Sequence, residues 1–193
     1  IIGESINDSV PSTHKLFDAN DEAGLLELAR MQAERGAAYI DVNVGGRSAE
    51  FMADLVRKIQ TVCSLPLSID TPDPALAKAG LEAYDAGKAG GAKPVLNSVT
   101  ALRVGMFDLV KIQPYRPILL ASEQVVDGQS RSCHTPEETV EAARFLVHKF
   151  RDECGGTNDD CIIDPGIAPL GSDSEGNIHR LFRAMEMMHA DSD

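Results

Sequence analysis

Seven acidic or amide side chains stand where short apolar runs give out: Glu4 and Asn7, Asp41 and Asn43, Asp70, Asn97 and Asp164. The last lies in Cys161-Ile162-Ile163-Asp164-Pro165-Gly166-Ile167-Ala168-Pro169-Leu170, where an apolar run leads into a carboxylate and a Pro-Gly pair turns the chain. A short apolar run bounded by turn residues reads as a fully buried strand, and strands buried on both faces belong to parallel sheets. A carboxylate at the C-terminal end of such a strand stands where barrels and open α/β sheets place their chemistry. A lone Asp-Pro-Gly more often makes a turn, the Asp capping its own backbone. Five strand ends carrying Asp or Asn favour a site instead. Carboxylates and amides gathered in this way can hold the edge of a flat heterocycle with N–H donors and ring nitrogens. A carboxylate accepts two N–H bonds at once from an amino-pyrimidinone edge, and such charge-assisted bonds are strong. A divalent metal is the rival use of clustered acids. These acids are not close neighbours in sequence and amides dilute them, so no metal is expected.

Other residue types carry less. His14, His134, His148, His179 and His189 show no metal-ligand spacing, and His148 and His179 fall inside helical patterns. Met185, Met187 and Met188 read as core and fringe. There is no G-x-S-x-G elbow and no phosphate-binding P-loop.

For the strand-end residues to meet, strand and helix must alternate between them. Residues 1–7 form the first strand, and 8–17, with its Asp, Ser, Pro, Thr and His, reads as a loop. A helix follows from about Asp21, with Leu25, Leu28, Ala29 and Gln32 on one face and Gly36 as its stop. Residues 38–44 are the second strand, closed by Gly45-Gly46. Ser48 caps a helix in which Phe51, Leu55, Ile59 and Val62 recur. Residues 65–71 are the third strand, and Asp73-Pro74 opens a helix ending near Gly87. Residues 94–99 are the fourth strand, and Leu102, Met106, Leu109 and Val110 give the next helix its buried face. Residues 117–122 are the fifth strand, followed by a polar loop over 123–134. Thr135-Pro136-Glu137-Glu138 is a capping box with Pro in the first turn. Val140, Ala143, Leu146, Val147 and Phe150 carry that helix toward Cys154. Residues 161–164 are the sixth strand, and a helix with Ile178, Leu181, Phe182 and Met185 closes the chain. Six alternations predict a parallel sheet with crossover helices. No G-x-G-x-x-G follows the first strand, so the expectation is a TIM-type (β/α) barrel rather than a dinucleotide-binding sheet.

The 193 residues suffice for one domain spanning 1–193, with ordinary hydrophobic (43%) and charged (25%) content. A net charge of −12 argues against a nucleic-acid partner. No apolar run approaches the roughly 20 residues that span a bilayer. Cys63, Cys133, Cys154 and Cys161 are scattered without C-x-x-C spacing, which fits a reducing, cytoplasmic setting. The first residues already read as a strand, so no signal peptide is expected. Both ends read as cut, with no initiator Met. A closed barrel of this kind has eight strands and about 250 residues. The six strand–helix units here are therefore expected to be a truncated barrel. Its open edges, at the strands of Ile1 and Ile163, invite association such as a homodimer.

As a set, Gly3-Glu4-Ser5-Ile6-Asn7, Asp41-Val42-Asn43-Val44-Gly45, Ser68-Ile69-Asp70-Thr71, Asn97-Ser98 and Ile163-Asp164-Pro165 resemble the pterin-binding barrel family, in the family's order over nearly the whole chain. Two branches share that frame: dihydropteroate synthase, and the methyltetrahydrofolate:corrinoid methyltransferases, which include the folate domain of cobalamin-dependent methionine synthase. The opening Gly-Glu-Ser-Ile-Asn is similar to the Gly-Glu-Arg-Ile/Thr-Asn of the methyltransferases, with Ser5 where Arg is usual, so the role of that Arg is not carried over. Asp164-Pro165-Gly166 leans toward the synthases. The resemblance on balance implies a methyltransferase that moves the N5-methyl group of methyltetrahydrofolate to the cobalt of a cobalamin or other corrinoid carried by a partner protein. It implies that Asp70, Asn97 and Asp164 hold the pterin by its pyrimidine edge, and that Asp41 and Asn43 line the same cup, with Glu4 and Asn7 at the first strand tip. The Asn that meets N5 in that family comes from a seventh strand, which would lie beyond Asp193, so no catalytic residue is assigned here. The alternatives are a dihydropteroate synthase, whose diphosphate substrate needs basic residues the strand tips do not supply, and a pterin-binding module without catalysis.

Overall fold

The computed structural model describes residues 1–167, 173 and 176–191. The chain gathers into two compact units, Ile1–Asn97 with Leu109–Arg116, and Ser98–Asp108 with Pro117–Asp193. No helix among the described residues is long and apolar enough to cross a membrane.

In the first unit the strands β1 (Ile2–Asn7), β2 (Tyr39–Asn43), β3 (Leu67–Asp70) and the opening of β4 (Val95–Val99) lie side by side in chain order, all parallel. Their apolar residues Ile6, Ile40, Val42, Leu67, Ile69, Val95 and Leu96 are fully buried. That is the near-continuous hydrophobic signature of a sheet covered on both faces. The register of β1 against β2 jumps: Gly3 pairs with Ile40, but Ile6 pairs with Val42. Three steps on β1 match two on β2, so β1 holds one extra residue, a β-bulge. The amide oxygen of Gln32 accepts the Ser5 N–H at 2.8 Å beside it.

The connecting helices follow their caps. Asp21 accepts the Gly24 N–H at 3.0 Å and opens α2 (Glu22–Glu34). Ser48 accepts the Phe51 N–H at 3.2 Å and opens α3 (Ala49–Val62), which buries Met52, Leu55, Val56 and Ile59. Asp73 accepts the Ala75 N–H at 2.7 Å and, with Pro74 in the first turn, opens α4 (Pro74–Ala83). Gly80 lets α4 press onto the sheet, since a Cβ there would meet Ile69 Cγ2 at 2.7 Å.

Two readings from sequence change in this unit. Residues 8–17 are not all loop: Pro11–Asp18 form a helix, α1, preceding α2 in the chain. Pro11 is compatible with a first turn. Thr13 donates its hydroxyl to Ser5 O at 2.8 Å and Phe17 is buried, so tertiary packing outweighs the polar composition. The helix expected to run to Gly87 stops at Ala83. Tyr84 turns extended, and Ala86–Ala89 form a separate 3-10 turn capped by Asp85.

In the second unit β5 (Arg116–Leu120) pairs in parallel with β8 (Ile162–Asp164), matching Leu119 with Ile163 and Leu120 with Asp164. The polar loop expected over 123–134 is instead an antiparallel hairpin, β6 (Glu123–Val126) with β7 (Gln129–Ser132). Its two turn residues, Asp127 (φ 52°) and Gly128 (φ 77°), take the left-handed conformation that a tight hairpin turn requires. The helix α5 (Pro136–Cys154) begins on the expected capping box, with Thr135 accepting the Glu138 N–H and Glu138 accepting the Thr135 N–H. The Phe150 ring packs tilted against Phe107, with centroids 5.6 Å apart.

Three further expectations are corrected here. The helix read over Leu102–Val110 is a kinked 3-10 segment, Ala101–Lys111, that buries Met106 and Phe107 and leaves Leu102 half exposed. The strand read as fully buried, β8, is half-buried with Asp164 exposed. Among the described residues β8 pairs only with β5, and β1 only with β2, so each has the one-sided pairing of an edge. The last helix, α6 (Asn177–Ala190), buries Ala184, whereas Phe182 and Met185 face solvent. Ala168, Pro169 and Leu170, the end of the stretch that closes on Asp164, lie outside the described residues.

Candidate functional site

Parallel register does the positioning. Asn7 pairs with Asn43, and Asp70 pairs with Asn97. One residue beyond the Val42–Ile69 pair, Asn43 Nδ2 donates to Asp70 Oδ2 at 2.8 Å. The last residues of β1, β2 and β3, Asn7, Asn43 and Asp70, therefore stand in one row with Asn97 of β4. Two residues back on the same face, where side chains alternate with period two, Asp41 pairs with Ser68 to form a second layer beneath the row.

Local turns fix two of the amides. Asn7 Oδ1 accepts the Ser9 N–H at 2.8 Å, and Asn43 Oδ1 accepts the Gly45 N–H at 2.9 Å. Asn43 is thus held at both ends of its amide, and its Nδ2 has to face Asp70. Gly45 sits at φ 59°, and a Cβ there would meet Asp8 Oδ2 at 2.3 Å, so the turn that orients Asn43 requires glycine.

The second layer carries the strongest electrostatic signal. Asp41 is 1% exposed, and neither carboxylate oxygen has a hydrogen-bond partner; the buried Ser68 hydroxyl also lacks one. Burial pushes the Asp41 carboxyl up to about 8 and the Asp70 and Glu4 carboxylates add to the rise, against the pull of the nearby Ser68 hydroxyl and Asn97 amide. Asp70 is also raised, first by burial, while the hydrogen bond from Asn43 and the neighbouring Asp41 carboxyl oppose the rise. Two neighbouring carboxyls, one of them buried, cannot both ionise cheaply, so the pair keeps a proton near neutral pH. The cluster therefore offers a carboxylic O–H or a carboxylate as needed, with amide donors and acceptors on both sides. That set matches a heterocycle edge presenting both N–H and carbonyl groups.

The other expected residues stand differently. Glu4 lies exposed in the β1 bulge and reaches the cluster through its charge. Asp164 ends β8 in the second unit, where Oδ1 accepts the Gly166 N–H at 2.8 Å, with Gly166 at φ 72°. That bond is the turn-capping role common to Asp in an Asp-Pro-Gly step. Sequence reasoning missed Ser68, the buried neighbour of Asp41. The alternation Leu67-Ser68-Ile69-Asp70 carried the signal, since it puts a small polar residue on the Asp70 face. It also missed Arg47 and the acids around it, for which no spacing rule exists.

A row of acids and amides at the carboxyl ends of parallel strands defines the class: an α/β protein whose site is built where such sheets bind small molecules. The sequence pattern of the family described as pterin binding enzyme matches residues 6–191, and the chain belongs to that family. The methylcorrinoid:tetrahydrofolate methyltransferase of Eubacterium limosum is 41% identical over 85 residues, which is 41% of this chain and 30% of the relative. The match thus spans under a third of that relative's length. Among solved structures, the 7,8-dihydropteroate synthase of Vibrio fischeri ES114 superposes with a TM-score of 0.66 at 17% identity, over 98% of this chain and 68% of the other. The dihydropteroate synthase of Xanthomonas albilineans, in complex with 7,8-dihydropteroate, gives 0.59 at 22% identity, over 97% and 67%. These likenesses establish the fold, the α/β architecture of TIM-type pterin-binding barrels.

Proposed function

We propose that the chain is the pterin-binding domain, over residues 1–193, of an enzyme that transfers a methyl group between N5 of tetrahydrofolate and the cobalt of a corrinoid. The observation that carries the pterin reading is the Asn43–Asp70 pair in register with Asn97 above a buried, proton-keeping Asp41. Asp70 accepts N–H bonds from the pyrimidine edge. Asn97 meets the adjoining polar atoms, and Asn7 and Asn43 close the row. Asp41 damps the charge beneath, so the pocket does not present two full negative charges to a neutral ring. Asp164 is assigned to the same ligand by the family resemblance.

The choice of methyl transfer rests on the Gly3-Glu4-Ser5-Ile6-Asn7 opening and on the relative from Eubacterium limosum. In the forward direction the methyl–N5 bond breaks, its electron pair stays on N5, which takes a proton, and the methyl joins cobalt(I), which becomes methylcobalt(III). A tertiary amine is a poor leaving group, so protonation of, or a hydrogen bond to, N5 is what the barrier requires. The relative's name puts the methyl on the corrinoid at the start, the reverse of the direction read from sequence. One site serves both directions by microscopic reversibility. The corrinoid comes on a partner protein.

Titration calorimetry with tetrahydrofolate and methyltetrahydrofolate, followed by a spectrophotometric assay of methylcobalamin formation from cob(I)alamin, tests the proposal. In a full-length form, binding with turnover is expected. No binding overturns the pterin reading, and binding without turnover leaves a pterin-binding module. Dihydropteroate made from pterin diphosphate and 4-aminobenzoate would instead make it a synthase.

A further inference from the structure

We propose that Arg47 is a positioning residue, a guanidinium staple that holds the turn after β1 against the turn after β2 and so fixes Asn43 in the site. Arg47 Nη1 donates to Asp8 Oδ1 at 2.6 Å and to Val44 O at 3.3 Å, and Nη2 donates to Asp18 Oδ1 at 3.1 Å. Its guanidinium lies 4.5 Å from the centre of the Phe17 ring and 5.9 Å from that of Phe51. The planar fork meets two carboxylates while its face rests on the rings, which a lysine ammonium cannot reproduce.

The connection to the site is short. Asp8 follows Asn7 directly, and its N–H donates to Asn43 O at 3.1 Å. Val44 follows Asn43, and Gly45, whose N–H fixes Asn43 Oδ1, packs directly against Asp8. His14 repeats the bridge on the other side, with Nδ1 2.9 Å from Asp8 and Nε2 3.2 Å from Asp18. Two basic side chains thus span the same two acids and close a ring around the rim. Arg47 is the better buried of the two, with its side chain 21% exposed against 50% for His14. Exposed ion pairs alone contribute little. The packed, forked and multiply bonded arrangement distinguishes Arg47 from single exposed pairs such as Arg30–Glu27 and Arg57–Asp54.

This inference deepens the pterin reading and rests on it for its binding arm. The test uses the full chain with Arg47→Met, Arg47→Lys and, as control, Ser48→Ala, which removes the neighbouring α3 cap without touching the ring. Two measurements are made: the side-chain amide resonances of Asn43 in a 15N–1H spectrum of the unliganded protein, and the affinity for tetrahydrofolate. Arg47→Met should move the Asn43 resonances and weaken tetrahydrofolate on the order of tenfold. Arg47→Lys should recover one acid contact and fall between. Ser48→Ala should lower the melting temperature and leave both readouts in place. Asn43 resonances unmoved by either Arg47 variant, or moved equally by Ser48→Ala, overturn the staple. If Arg47→Met does not fold, Arg47→Lys decides the question against the same control. If the unaltered chain binds no tetrahydrofolate, the pterin reading falls, and the resonances still decide the staple.

Discussion

Replacing Asp41 with Asn tests the electrostatic core of the site without any ligand. Asn has nearly the shape of a protonated Asp but no proton to lose. In the folded chain burial, reinforced by Asp70, holds the Asp41 carboxyl at about 8, against about 3.9 for an Asp in an unfolded chain. Between those values the folded state keeps a proton that the unfolded state has released. The stabilisation is therefore fully present below about pH 4 and is lost as pH rises through about 8. One proton corresponds to at most ~1.4 kcal/mol per pH unit. The variant lacks this slope, so from pH 5 to pH 8 its stability relative to the unaltered chain should improve by about 2–4 kcal/mol. The ceiling is approached only if Asp70 keeps its own protonation pattern once its neighbour is neutral. Urea unfolding of both proteins at several pH values, with the slope against urea checked for constancy, measures the gap. Parallel stability curves across that range, or a variant that loses ground at pH 8, would refute the argument that a buried, proton-keeping carboxyl sits beneath the row.

Two further outcomes are expected. Asp164→Asn should weaken tetrahydrofolate binding by about 1.5–3 kcal/mol, the worth of a charge-assisted bond, while the chain melts as before; unchanged affinity in calorimetry would leave Asp164 with only its bond to the Gly166 N–H. Thr135→Ala should cost about 1 kcal/mol of stability through loss of the α5 cap and leave binding untouched, so a melting curve that does not shift would contradict the capping box.

The strands and most caps were legible because each rests on local chemistry. Ser48, Asp73 and Thr135 cap through atoms within three residues, and apolar runs such as Leu67 to Ile69 announce burial wherever they land. The row of Asn7, Asn43, Asp70 and Asn97 was legible as a set because parallel register aligns strand ends. What sequence could not give depends on distant partners. Helix α1 exists because Thr13 finds Ser5 and Phe17 finds Phe51. Leu102, Phe182 and Met185 fit helical spacing, yet spacing does not say which side of a helix another element covers. The hairpin was legible and was missed: Asp127-Gly128 after Val125-Val126 is a tight-turn signal that polar composition obscured. The Arg47 ring joins residues 8, 14, 18 and 47, and only the folded backbone brings them together.

The bulge in β1 sets the phase of the whole rim. Continued without the extra residue, the pairing of Gly3 with Ile40 would place Ser5 opposite Val42 and Ile6 opposite Asn43. A hydroxyl would then enter the packed interior and a branched hydrocarbon would enter the polar row. With the bulge, Ile6 joins Val42 in the core and Asn7 joins Asn43. Residues 4 and 5 therefore act as a frameshift within a single strand. A chain of this fold that lacked one of them would build the same row with no bulge, its isoleucine opposite Val42 and its asparagine opposite Asn43. Aligning such a chain with this one without a gap at the bulge would match its site asparagine to the core residue Ile6.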